Sequence, residues 1–336
     1  WQVMAAFFGV DSPVPYRFMN ILFHGVNAYL IFLISNLLID SEIFKMFKKN
    51  SHQKVICSLC SVFFLVHPAH VESIVWVSSV KGILATQFSL LAVYFFIRRK
   101  KEYDLLYSNI FLILSFFIKP VALPLVIVFL LLDKFIFQLT LKEIYTRYIH
   151  LLVASVIYMY FFVSEDLLKS DSISISDRLK IIVDSLLFYI SQSLSYFGYH
   201  FNNARSPSII LDEASSYIYF AISSLLLFLF PMLLILKEKL RYLGGMIFIF
   251  YLMLLVNTGV VNYNFQNLST VADRYLYAPL VVVSLMLLLA LSKFWYLKKI
   301  RIFSFSVMIF YFCFSSPFVF VTLPLFVSST LPHHPY

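Results

Sequence analysis

The sequence predicts an all-α, polytopic integral membrane bundle, with about ten transmembrane helices and one interfacial amphipathic helix. Three observations carry this expectation. Of 336 residues, 61% are hydrophobic and 13% charged, with a mean hydropathy of +0.87, whereas a soluble chain carries about 25% charged residues. The apolar runs have the length of spanning helices, unlike the shorter alternating segments of barrel strands. Short basic runs separate them, such as Lys48-Lys49, Arg98-Arg99-Lys100-Lys101 and Lys298-Lys299-Ile300-Arg301, the pattern of cytoplasmic loops. The net charge of +9 is thus spread over loops, with no separate basic domain, and a nucleic-acid partner is not expected.

Apolar length and flanking charge place spans at about 17–39, 55–76, 82–97, 104–118, 120–137, 148–164, 215–236, 243–262, 274–292 and 303–326. Several fall short of the roughly 20 residues that a straight span needs. The two around Lys119-Pro120 are the shortest, so a tilt, a thinned bilayer or a shared loop is expected there. The first span carries Asn20, His24 and Asn27 at i, i+4, i+7, one face suited to helix–helix hydrogen bonding. In the second, Cys57 and Cys60 lie within the apolar run 55–66 and read as small buried side chains, not a redox or metal pair. Cys313 is alone in another apolar run, and no disulfide framework is implied.

Residues 165–214 read as a loop on the non-cytoplasmic side. Within it Leu179, Ile182, Val183, Leu186, Leu187, Ile190, Leu194 and Phe197 recur at helical spacing, with Lys180, Asp184, Ser191 and Ser195 off that face. The pattern predicts an amphipathic helix in the interface. A true span there would invert everything downstream. With the loop kept on one side, 18 of the 26 Lys and Arg fall on the opposite, cytoplasmic side. No internal repeat or low-complexity stretch is visible, so residues 1–336 read as one membrane domain. The chain opens at Trp1, in mid-loop and without a signal peptide, and an upstream piece is expected.

The charge count puts His67-Pro68-Ala69-His70-Val71-Glu72-Ser73 on the periplasmic or luminal side. An ionisable group at membrane depth costs roughly 3 kcal/mol on insertion scales, so this knot predicts a site, the competing reading being an interface anchor. Pro68 suits the first turn of a helix, whose free N–H groups would face water and favour phosphate. Glu72 is a candidate carboxylate base or metal ligand, although two His and one Glu do not define a metal site. Lys81, near the next helix start, is a candidate phosphate contact.

Asp273-Arg274-Tyr275-Leu276-Tyr277-Ala278-Pro279 forms a second constellation. Arg274 can grip a phosphate bidentately, and Tyr275 and Tyr277 can hydrogen-bond or stack on a sugar. An interfacial salt bridge in an aromatic belt explains the same residues. Lys119, at a hairpin tip on the same side, reads as a snorkelling Lys or a phosphate contact. Asn267-Leu268-Ser269 is a glycosylation sequon that matters only in a eukaryotic secretory pathway. His150, His200, His333 and His334 have no evident partners in the sequence.

Three segments, in this order and spacing, carry a resemblance: His67 to Ser78; Lys119-Pro120-Val121-Ala122-Leu123-Pro124 on to Leu132-Asp133; and Ala272 to Pro279. With the Asn20, His24, Asn27 face before them, the chain resembles the membrane part of the transmembrane-and-TPR-repeat O-mannosyltransferases and their bacterial relatives, within the GT-C glycosyltransferases. The resemblance covers nearly the whole chain. It implies a polytopic enzyme of the bacterial inner membrane or endoplasmic reticulum membrane. Such an enzyme takes a sugar from a polyprenyl-phosphate donor and passes it to a hydroxyl of a protein or glycan acceptor on the periplasmic or luminal face. Inversion at the anomeric carbon and help from a divalent cation, Mg or Mn, are expected. The family's TPR repeats do not appear before Tyr336, and its acidic first loop is expected upstream of Trp1. Where the family often reads Ser-x-Arg-Lys-Asp, this chain has Ser78-Ser79-Val80-Lys81-Gly82, and Arg17 stands where a His is common.

The expected roles follow. Glu72 and Asp273 are the catalytic candidates, Glu72 as acid/base support or metal ligand and Asp273 by orienting Arg274. His67 and His70 shape the donor site. Lys81, Lys119 and Arg274 contact phosphate, and Tyr275 and Tyr277 line the sugar. A lipid-linked-sugar carrier is the main alternative, but such proteins often show repeated halves and broken midplane helices, and here the ionisable groups gather at one face. A non-catalytic scaffold is the other.

Overall fold

The structure is a computed structural model that describes residues 7, 9, 12–41, 52–119, 122–162, 174–194, 205–213, 217–237, 240–258, 268–297, 299–302, 304 and 306. The predicted span at 303–326 lies almost wholly outside them, as do Pro120, Phe197, Asn267 and Cys313. The described residues are helical, with no strand among them.

In chain order the helices are α1 (Val14–Asp40), α2 (Gln53–Val66), α3 (His70–Val75), α4 (Val80–Arg98), α5 (Glu102–Ile118), α6 (Leu123–Phe135), α7 (Leu141–Phe162), α8 (Ile175–Leu194), α9 (Pro207–Glu213), α10 (Tyr217–Leu236), α11 (Arg241–Leu255) and α12 (Pro279–Phe294). Two helical stretches, Val14–Asp40 and Val77–Arg98, are long and apolar enough to cross a membrane. The first holds 27 residues, roughly 40 Å at 1.5 Å per residue. Five shorter apolar helices accompany them: Gln53–Val66, Tyr103–Ile118, Ile222–Leu236, Arg241–Leu255 and Pro279–Phe294.

The main departure from the expected spans lies at 55–76. That stretch is not one helix. α2 stops at Val66, and His67 turns extended with ψ 126°, as the residue before a proline prefers. Pro68 lies in the turn ahead of α3, so the helix begins at His70, two residues later than expected. α3 is six residues long and ends at an extended Trp76, after which a 3₁₀ turn (Val77–Ser79) leads into α4. A second 3₁₀ turn, Asp273–Leu276, precedes α12, which begins at Pro279 rather than at residue 274.

α1 packs on α2 and α4, α4 on α5, α12 on α2 and α11, and α11 on α10, while α7 leans on α5 and α6. One apolar cluster runs through these helices, from Ile31 and Ile34 of α1 to Leu288 of α12. Cys57 and Cys60 are buried in it as free thiols. α8 turns Ile181, Ser185, Tyr189 and Ser193 inward. Leu179 and Leu194 of its expected apolar stripe are exposed.

The hairpins give the bundle two polar ends. At one end Arg98 pairs with Asp104, which also accepts the N–H groups of Lys100 and Lys101 and so caps α5. Asp133, fully buried, takes Arg99, Arg147 at 3.4 Å and the Tyr148 hydroxyl at 2.6 Å. The Arg99 guanidinium lies between the Phe96 and Phe137 rings, 4.2 and 4.0 Å from their centroids. The other end holds α3, Lys119 and the Asp273–Leu276 turn.

Candidate functional site

The break between α2 and α4 frees backbone carbonyls inside the bundle, where unpaired polar groups are costly. The polar face of α1 takes them up. Arg17 Nε donates to the Val75 carbonyl at 3.2 Å. Asn20 Nδ2 donates to Ile74 and Trp76, at 3.1 and 3.2 Å. Further along the same face, Asn27 Nδ2 donates to the Ile83 carbonyl at 3.1 Å and to the Tyr277 hydroxyl at 3.0 Å. His24 lies 3.0 Å from the Leu65 carbonyl through Nε2 and 2.8 Å from the Tyr277 hydroxyl through Nδ1. One consistent pattern has Nε2–H donating to the carbonyl and the tyrosine donating to Nδ1. The Asn20, His24, Asn27 face is thus a scaffold that fixes the broken segment and anchors the second constellation.

On that scaffold Glu72 and Arg274, 202 positions apart, form an ion pair. Glu72 also accepts the Arg274 backbone N–H at 2.7 Å, and the Asp273 backbone N–H bonds to the same carboxylate. The Arg274 guanidinium lies 5.1 Å from the ring centroids of both Trp76 and Tyr275. The Lys119 ammonium sits 5.3 Å from the Tyr275 centroid. The structure therefore brings Glu72, Asp273, Arg274, Tyr275 and Lys119 together. Lys81 stands exposed on the first turn of α4, outside these contacts.

Three expected site residues are further inside. His67 is buried, near the Ser193 carbonyl of α8 at 3.4 Å, and its Nδ1 faces the Ala69 N–H at 3.3 Å. His70 is buried among the rings of His24, Phe64, His67 and Tyr277, and neither ring nitrogen has a hydrogen-bond partner among the described residues. Tyr277 is 3% exposed, and its hydroxyl is engaged by His24 and Asn27. These residues shape the floor beneath the Glu72–Arg274 pair. Trp76 is not among the expected site residues; a lone indole just after the polar His67–Ser73 knot is the available signal.

Lys119 lies in the loop between α5 and α6 and is half-buried. Burial, and secondarily the Arg274 charge, push its ammonium down to about 8, with Glu72 opposing. No group of three His, Cys, Asp or Glu among the described residues is placed to hold a metal ion. The Glu72 oxygens are already engaged by Arg274. The described residues thus do not fit the divalent cation that the resemblance implies. What they offer is a cationic corner walled by aromatic rings, a chemistry suited to an anion.

Comparison with protein-family models, with curated proteins and with solved structures finds no match to this chain.

Proposed function

We propose that the chain is the membrane part of a polytopic glycosyltransferase, drawing a sugar from a polyprenyl-phosphate donor for a hydroxyl acceptor on the non-cytosolic face. Mannose is the sugar that the resemblance implies. The observation that carries the reading is the meeting of Arg274 and Lys119 around the Tyr275 ring, with Glu72 holding Arg274 in place. A lipid-phosphate donor supplies both the anion and the apolar tail that such a corner at a bilayer surface suits.

In this reading the acceptor oxygen attacks the anomeric carbon, and the bond from that carbon to the phosphate oxygen breaks. The electron pair stays with the phosphate, whose growing charge is met by Lys119 and Arg274. Glu72, held by Arg274, acts by orienting that guanidinium. The acceptor proton goes to a carboxylate base, which the resemblance implies belongs to the family's acidic first loop.

Transfer of radiolabel from a polyprenyl-phosphate mannose to an acceptor, by the complete reading frame, tests the proposal. Arg274→Ala should lower transfer at least tenfold, since an ionic hydrogen bond contributes about 1.5–3 kcal/mol. Transfer at low donor concentration should fall as pH rises through about 8, where free Lys119 loses its proton. Lys119→Arg should move that fall upward, because Arg stays charged. Full transfer by Arg274→Ala rejects the assignment.

A further inference from the structure

Arg17 carries a charge that no described residue meets. It lies on the first turn of α1, which holds no acidic residue. The side chain is buried, with the residue 7% exposed, and Nε is committed to the Val75 carbonyl at 3.2 Å. Nη1 is buried too, without a hydrogen-bond partner among the described residues. Glu72, the carboxylate of the segment that Arg17 grips, is taken by Arg274. Arginine stays charged, and a buried charge without a counter-ion is costly. The partial positive charge at the start of a helix adds to that cost. Holding the Val75 carbonyl does not require a cation. Asn20, one turn further along α1, holds the Ile74 and Trp76 carbonyls with a neutral amide.

We propose that Arg17 is the oxyanion contact for the acceptor: the hydroxyl compound that receives the sugar carries a carboxylate or phosphate, which binds the guanidinium edge that Val75 leaves unpaired. This rests on the lipid-phosphate reading above and extends it to the second substrate. A sugar phosphodiester carries one negative charge, which that reading gives to Lys119 and Arg274, so the donor leaves none for Arg17. The two arginines also grip one short stretch. Arg17 holds the Val75 carbonyl and Arg274 lies against the next residue, Trp76. An anion on Arg17 therefore belongs to a molecule bound beside the donor.

Ligand-observed NMR titration of the purified full chain in detergent micelles tests this. N-acetylserine is compared with N-acetylserinamide, and glycerol 3-phosphate with glycerol, so that each pair differs in the anion. Both members of a pair meet the same protein, and their ratio cancels general damage to the fold. In at least one pair the unaltered chain should bind the anion roughly tenfold more tightly. Arg17→Gln, which keeps an N–H for Val75, should lose that preference, and Arg17→Lys should retain part of it. Saturating farnesyl phosphate should leave it unchanged. No preference in either pair, or one that survives Arg17→Gln, overturns the subsite. So does a loss as complete in Arg17→Lys as in Arg17→Gln. Competition by farnesyl phosphate would give the anion to the donor, and competition by phosphatidylglycerol in the micelle would give it to a lipid headgroup; either overturns the acceptor contact. An Arg17-dependent preference in a chain that does not bind farnesyl phosphate keeps the subsite and removes the lipid-phosphate donor alone.

Discussion

Glu72→Ala should be the most damaging single substitution at the site, lowering stability by about 3–5 kcal/mol. The carboxylate is 4% exposed and the Arg274 side chain 15%, so its loss takes away the buried charge that meets the guanidinium. The Asp273 and Arg274 backbone N–H groups also lose their acceptor. The double variant Glu72→Ala/Arg274→Ala should be less destabilised than the sum of the two singles, by about 1–3 kcal/mol. Thermal or denaturant unfolding of the purified chain in detergent measures both quantities. Additive effects would mean that the two side chains do not interact in the folded protein.

The second large effect belongs to the other end. Asp133→Asn should destabilise by about 2–4 kcal/mol, because one buried carboxylate serves Arg99, Arg147 and Tyr148. Farnesyl phosphate binding by the folded variant should match that of the unaltered chain. α4 alone separates the two ends by 19 residues, roughly 28 Å, so the Glu72 and Asp133 effects should add. A loss of phosphate binding in Asp133→Asn that exceeds its loss of folded protein would show the ends to be coupled.

Much of the architecture was legible because it follows from composition and spacing. Helical content and the stretch Val14–Asp40 needed only apolar length. The Asn20, His24, Asn27 face was readable as a hydrogen-bonding stripe, and the structure gives it that work. The partners of the stripe were not readable. They are backbone carbonyls at Ile74, Val75 and Trp76, freed by a break that an apolar count over 55–76 conceals. Pro68 and the polar His67–Ser73 knot were the signals for it, and both point to a helix end inside the run.

The pairing of Glu72 with Arg274 also lay beyond sequence reasoning. Asp273 is the nearer carboxylate along the chain, and it was expected to orient Arg274. The 3₁₀ geometry of Asp273–Leu276 directs two backbone N–H groups, with the guanidinium, at Glu72. The sequence reads His70 as shaping the donor site and Tyr277 as lining the sugar. Both lie in the floor, where ring packing decides their place.

The proposal stands on the Glu72–Arg274 corner facing the non-cytosolic side, which membrane-impermeant thiol labelling in intact cells tests most directly. In a chain whose three cysteines are replaced by alanine, Lys81→Cys marks the corner's end, and Lys100→Cys marks the Arg98–Asp104 end. Both positions are exposed. Labelling of Lys81→Cys from outside, with Lys100→Cys reacting only after the membrane is opened, is the expected result. The reverse pattern would put the Glu72–Arg274 corner in the cytosol and contradict the proposed transfer on the far face.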